Sequence, residues 1–161
     1  MLVRDARSSD FAAALTLNNA AVPAVNPHDA ASFEQLLGWA DRTWVADVDG
    51  DVGGLLVTFA PGSPYTSANY RWLSERFESF RYVDRVIVCP DHRGAGIGRA
   101  LYEALESHAK SAGANSLLCE VNIDPPNPQS LAFHAAVGWR PVSDRVLGPG
   151  KAVRYLEKPL R

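Results

Sequence analysis

The run Asp84-Arg-Val-Ile-Val-Cys-Pro-Asp-His-Arg93-Gly-Ala-Gly-Ile-Gly98-Arg-Ala-Leu-Tyr102 decides how the rest of the chain is read. Its β-branched start, Val86-Ile87-Val88, reads as a buried strand. Pro90 stops that strand, because it has no N–H to give to a ladder. Gly94, Gly96 and Gly98 follow, then a helical run from Arg99 to Ala112 with Leu101, Leu105 and Ala109 on one face. A glycine turn between strand and helix aims free backbone N–H groups at one point, at the positive end of the helix dipole. Glycine also lets a ligand approach the backbone with no Cβ in the way. Arg93 and Arg99 add positive charge on either side, so the natural guest is a diphosphate.

Several phosphate motifs share this outline. A Walker loop ends in Gly-Lys-Ser/Thr, which is absent here. The dinucleotide fingerprint places its glycines as G-x-G-x-x-G, and Gly94-x-Gly96-x-Gly98 does not, although Glu120 lies where its acid would. A plain strand-to-helix turn is the bland alternative, yet it seldom needs three glycines between two arginines. What fits is Arg-x-x-Gly-x-Gly on Arg93, Gly96 and Gly98. Here the sequence resembles the GNAT acetyltransferase superfamily, whose signature is Arg/Gln-x-x-Gly-x-Gly/Ala between a strand ending in Pro and a helix. A second stretch, Asn127-Pro-Gln-Ser130-Leu-Ala-Phe133-His134-Ala-Ala-Val-Gly138-Trp139, is similar to the family's Asn-x-x-Ser/Ala-x-x-Phe-Tyr-x-x-x-Gly-Phe. The N-terminal third and residues 65–80 match only in element order.

Composition sets the outer bounds. The 161 residues are 47% hydrophobic and 21% charged, values of a soluble globular chain that forms one domain over 1–161. A net charge of −2 gives no electrostatic case for nucleic acid or an acidic membrane as partner. Cys89 and Cys119 are too few for a disulfide scaffold and read as buried free thiols. No His/Cys/Asp group has metal-ligand spacing. The short apolar run Phe11 to Leu17 makes a poor signal peptide and no run approaches membrane-spanning length, which points to the cytoplasm.

In chain order, Leu2–Ala6 reads as a strand, and a helix capped by Ser8 or Ser9 runs from Asp10 to Asn19. A Pro-containing loop leads to a second helix, capped by Asp29 or Ser32 and ending near Gly38. Thr43–Asp47 and Val52–Phe59 form a hairpin over Asp49-Gly50, with a bulge or close approach at Gly53-Gly54. Tyr70–Phe80 is predicted as a short helix. Strand 81–89, the central helix stopped by Gly113, and strand Ser116–Asn122 make a parallel pair. A helix over 129–137, a strand that starts with Trp139–Val142, a turn over Val146–Gly150 and a final strand Ala152–Leu156 complete the chain. The fold class is mixed α/β, a GNAT-like acyl-CoA N-acyltransferase fold. Its central twisted mixed sheet carries helices on both faces and a splayed parallel strand pair.

The resemblance implies an N-acetyltransferase that moves an acetyl group from acetyl-CoA (coenzyme A) to a primary amine, small or on a protein, by direct attack in a ternary complex. It implies that Val86, Ile87 and Val88 face the pantetheine arm, with the Val88 N–H polarising the thioester carbonyl because that strand carries the family's bulge. Arg93, Gly94, Ala95, Gly96, Ile97, Gly98 and Arg99 would hold the pyrophosphate, and Asn127, Ser130, Phe133 and His134 would close over the arm. His134 stands where the family has a tyrosine that protonates the leaving thiolate, and an imidazolium can give a proton. Glu120, ahead of Asp84, is the expected base, since a carboxylate in an apolar cleft has its pKa raised. Asn18, Asn19, Asn26 and His28, with Tyr65, Asn69 and Tyr70, are possible acceptor contacts, against loop, cap or core roles for each. A homodimer is common in the family. A non-catalytic acyl-CoA sensor is the alternative, because an intact turn beside a replaced acid residue would look like this.

Overall fold

The computed structural model describes residues 1–160. One seven-stranded sheet runs through it in the order β1-β2-β3-β4-β5-β7-β6. Its strands are β1 (Leu2–Asp5), β2 (Arg42–Val48), β3 (Asp51–Phe59), β4 (Phe80–Val88), β5 (Ser116–Asp124), β6 (Arg140–Gly148) and β7 (Lys151–Pro159). All neighbours are antiparallel except β4 and β5, which are parallel. Helices α1 (Phe11–Ala20), α2 (Ala30–Trp39) and α3 (Ala68–Ser74) cover one face, and α4 (Ile97–Ser111) and α5 (Pro128–Ala136) cover the other.

Strand alternation builds both cores. On β3, Leu55, Val57 and Phe59 face the first helical layer with Phe33 and Leu73, while Leu56 faces the second. On β5, Leu118 joins the first core, and Leu117, Cys119 and Val121 join Leu101 and Leu105 of α4. The β2–β3 turn has Asp49 at φ 52° and Gly50 at φ 91°, the positive values that Asp-Gly supplies. Asp29 caps α2, its carboxylate accepting from Ser32 N at 2.8 Å.

Gly53 is the extra residue where β2 and β3 shift register. A Cβ on Gly54 would lie 2.6 Å from Ile97 Cγ2, so the start of α4 sits against bare backbone there. Two elements differ from the sequence reading. The predicted Tyr70–Phe80 helix is only α3, capped by Ser67, and Phe80 already opens β4. The start of α1 is not a serine cap: a single 3-10 turn, Ser8–Asp10, precedes it. Asp10 accepts from Arg7 N at 2.7 Å and from Arg4 at 2.7 and 3.0 Å, and that ion pair fixes the entry to α1.

Candidate active site

The site begins where the sheet opens. Strands β4 and β5 are each nine residues long, yet they pair only at Phe80↔Ser116, Arg81↔Leu117 and Tyr82↔Leu118. The cause lies one strand away. Val83 pairs with Thr58 and Arg85 with Val57, so Asp84 is an unpaired extra residue, a bulge that bends β4. The bulge also inverts the alternation: Phe80 and Tyr82 face the first core before it, and Ile87 faces that core after it. Val86 and Val88 thereby turn to the second layer. Cys89 N donates to Gly53 O at 2.8 Å, so alternation points the N–H groups of Val86 and Val88 away from β3, into the gap. The bulge expected on this strand is thus at Asp84. Ile87 offers the gap only backbone, its side chain being in the first core.

The glycine turn lies at one end of this gap. Gly94 and Gly96 have φ of 82° and 77°, in the left-handed region. Gly96 is the N-cap of α4 and no side chain caps the helix, so its first-turn amides are left open. A Cβ on Gly98 would meet Phe133 Cζ at 3.6 Å and Val88 Cγ2 at 3.8 Å, which places residue 98 at the mouth of a cavity of about 540 Å3. Arg93, Arg99, Asn127 and Phe133 also line it. Open amides, a positive helix end, two arginines and bare glycines fit a diphosphate. Ile97 buries its side chain in the second core, and Ala95 is exposed on the turn, so these two have backbone to offer. Asn127 caps α5 by accepting from Ser130 N at 3.2 Å.

Past the last parallel pair the cleft holds two carboxylates. Tyr82 donates to Glu120 Oε1 at 2.6 Å. Burial pushes the Glu120 carboxyl up to about 8; the charge of Asp84 adds to this and the Tyr82 hydrogen bond opposes it. Asp84 accepts from Tyr65 Oη at 2.6 Å and from Arg85 Nε at 2.6 Å. The Arg85 guanidinium is buried and also donates to Asn18 Oδ1 at 2.7 Å. A cavity of about 400 Å3 runs along Val86, Val88, Asn127 and His134, and a second of about 300 Å3 lies between Asn26, Tyr65, Asn69 and Lys151. Asp84, Arg85, Glu120 and Asn122 line both, so the two cavities meet at these residues.

The possible acceptor contacts separate here. Asn26, Tyr65 and Asn69 line the second cavity. Tyr70 does not: it is 2% exposed, and its hydroxyl donates to Ala60 O and accepts from Ser63 N. Asn18 is fully buried and holds Arg85 rather than facing the cavity. Asn19 binds the backbone of His28 at both its N and O, closing the loop between α1 and α2.

His134 is 3% exposed. Its Nδ1 lies 2.7 Å from Ser130 O, an atom that only accepts, so Nδ1 carries the proton. Its Nε2 lies 2.7 Å from Tyr102 Oη, which donates to it. Burial holds the imidazole below its usual range. The imidazolium expected from the sequence is therefore disfavoured, and the neutral ring has no N–H left for the cleft. Sequence reasoning passed over Tyr82, Arg85 and Tyr102. Tyr102 closes the quoted run and lies one residue from Leu101, on the buried side of an evident amphipathic helix, so it reads as core.

With this geometry in view, the chain was compared with known proteins. The acetyltransferase (GNAT) family model matches residues 9–139. An L-2,4-diaminobutyric acid acetyltransferase of Nocardia farcinica is 35% identical over 113 residues, 68% of this chain and 50% of that enzyme. The chain thus spans only half the length of that relative. The L-amino acid N-acyltransferase MnaT of Escherichia coli is 28% identical, over 86% of this chain and 79% of its own. Among solved structures, a ribosomal-protein-alanine N-acetyltransferase of Brucella melitensis superposes with a TM-score of 0.76 at 24% identity, covering 99% of both chains. The yncA protein of Salmonella typhimurium, solved with its cofactor acetyl-CoA, gives 0.72 at 22% identity over 100% of this chain and 94% of that one. These two likenesses establish the fold. The split parallel pair, the open amides at Gly96 and the family match converge: the chain belongs to the acetyltransferase (GNAT) family, whose members move an acetyl group from acetyl-CoA to an amine.

Proposed function

We propose that this chain acetylates the amino group of a small amine that also carries a carboxylate, a free amino acid or a close analogue. The observation that carries this reading is the junction of the two cavities, where Glu120 and Arg85 stand together. The cavity beyond Val86 and Val88 takes the thioester. The Val88 N–H polarises its carbonyl, and Arg93, Arg99 and the open amides of the turn take the pyrophosphate. Glu120 accepts the proton of the attacking amine, and its raised pKa suits a base near neutral pH. Attack is direct, without a covalent enzyme intermediate.

The acceptor class follows from Arg85. Its bonds to Asp84 and Asn18 occupy two of five N–H donors, which leaves a buried fork for a carboxylate. The second cavity, about 300 Å3, is at the small end of ligand sites. The Nocardia farcinica and Escherichia coli relatives are both named for amino acids as acceptors. The same reading includes a single-domain cytoplasmic enzyme, with a homodimer as its expected assembly.

Thiol release from acetyl-CoA, followed over a panel of free L-amino acids and their carboxamides, tests it. Free amino acids are expected to saturate, and carboxamides to lose at least tenfold in kcat/KM. Equal rates for acid and amide would remove Arg85 from acceptor recognition. Acetyl-CoA binding without thiol release for any amine would return the chain to an acyl-CoA sensor.

A further inference from the structure

We propose that Tyr102, on α4, is the proton donor to the leaving thiolate, and that His134 is the residue that positions it. The inference rests on the reading of the cleft as a thioester site. Tyr102 lines the same cavity as Val86, Val88 and Asn127. Its ring is fixed on two sides, stacked on Phe133 at 5.8 Å and 23° and tilted against Trp139 at 5.6 Å and 47°. Its hydroxyl is fixed by His134 Nε2 at 2.7 Å. The imidazole is held in turn by Ser130 O and packs edge-on against Phe133 and Trp139 at 88° and 84°. The phenol thus reaches the cleft from α4, beside the α5 position that carries His134.

Comparison with the other tyrosine hydroxyls shows what is distinct about this one. Tyr65 and Tyr82 also border the reaction zone, but each donates to a carboxylate, Asp84 or Glu120, at 2.6 Å. A hydrogen bond to an anion is roughly twice as strong as one between neutral groups, so the Tyr65 proton is committed to Asp84, and Tyr82, unlike Tyr102, is absent from the lining of the cavity that takes the thioester. Tyr102 donates to a neutral imidazole, and a newly formed thiolate is the stronger acceptor. The step balances as follows. Glu120 takes one proton from the amine as its nitrogen bonds to the acyl carbon. The carbon–sulfur bond breaks with its electron pair on sulfur. The Tyr102 hydroxyl proton moves to that sulfur. The phenolate regains a proton from the Glu120 carboxylic acid through solvent as the products leave, so the enzyme is restored and no external acid is consumed.

Two measurements on the purified full chain decide the matter. In steady state, Tyr102→Phe is expected to lower kcat at least tenfold while the acetyl-CoA KM changes less than threefold. His134→Gln is expected to lower kcat less, and the double variant to be no worse than Tyr102→Phe alone. The second readout needs no turnover: the thiol of bound CoA is titrated by its ultraviolet thiolate absorbance. Loss of one hydrogen bond to the thiolate should raise that titration by roughly half a pH unit or more in Tyr102→Phe. Calorimetric CoA binding shows that each variant is folded. A Tyr102→Phe enzyme within twofold of the parent kcat, with an unshifted thiol titration, overturns the proposal. If His134→Phe alone abolishes turnover in that case, the acid is His134. A parent that binds CoA but releases no thiol with any amine overturns both this inference and the transferase reading beneath it.

Discussion

Tyr82 reaches across the point where β4 and β5 part and donates to Glu120 at 2.6 Å. The phenol is fully buried, and its partner is the carboxyl that burial raises to about 8. One strand supplies the bond, and the other supplies the group it tunes.

The first prediction concerns rate against pH. In the proposed mechanism Glu120 takes the amine proton as the carboxylate, so kcat/KM for the amine should rise with pH through a midpoint near 8. Glu120→Gln should lose that limb and about 100-fold or more in kcat, a typical share for a general base. A parent profile flat between pH 6 and 9, or a Gln variant with the limb intact, would move the base elsewhere, to Asp84 first.

The same group makes a stability prediction of opposite sense. Its folded pKa lies above the ordinary carboxyl value of 4.5, so the folded state favours the proton. The stabilisation is whole below 4.5 and is lost as pH rises through about 8. Glu120→Gln should therefore melt higher than the parent at pH 9, relative to the difference between them at pH 5. A melting-temperature difference independent of pH would show that the carboxyl is not perturbed.

The turn makes a steric prediction. Gly96 has φ of 77°, so Gly96→Ala places a Cβ in the left-handed region at a cost of about 1 kcal/mol or more, beside the amides proposed to hold the pyrophosphate. Gly98 has ordinary backbone, and an added Cβ meets Phe133 and Val88 at normal contact. Acetyl-CoA KM should rise severalfold for Gly96→Ala and change little for Gly98→Ala. Isothermal titration with CoA checks both.

Asn18 supports Arg85 from α1. Asn18→Ala should cost about 1–3 kcal/mol of stability, the range for a buried group deprived of its partner. With Arg85 in its proposed role on the acceptor carboxylate, it should also raise the acceptor KM more than the acetyl-CoA KM, since Arg85 does not line the cavity at the glycine turn. Equal changes in both constants would show a general loosening of the fold.

Much of this arrangement is legible in the chain, for local reasons. Asp49-Gly50 demands its hairpin, Pro90 ends its strand, and Asp29 caps its helix, each through neighbours close in sequence. The glycine turn is read from the spacing of Arg93, Gly96 and Gly98 between a strand and a helix and from the family resemblance that spacing carries. What escapes is set by the sheet. Alternation read through Tyr82, Asp84 and Val86 puts all three on one face, and the bulge at Asp84 separates them. Arg85 reads as a charge beside Asp84, and nothing in the string announces an asparagine 67 positions away as its second partner. Tyr102 and Tyr82 read as core, which their rings are; their hydroxyls acquire a role only through partners on other elements.

The short overlap of β4 with β5 has one more consequence. The sheet is two panels, β1 to β4 and β5 to β7, sewn together by three parallel residue pairs. A donor whose amides pair with the bare edge at Val86 and Val88 lengthens that seam, so the reactant also serves as a brace between the panels. Amide exchange at Val86 and Val88 should slow when CoA binds, while exchange along the β6–β7 hairpin should hardly change.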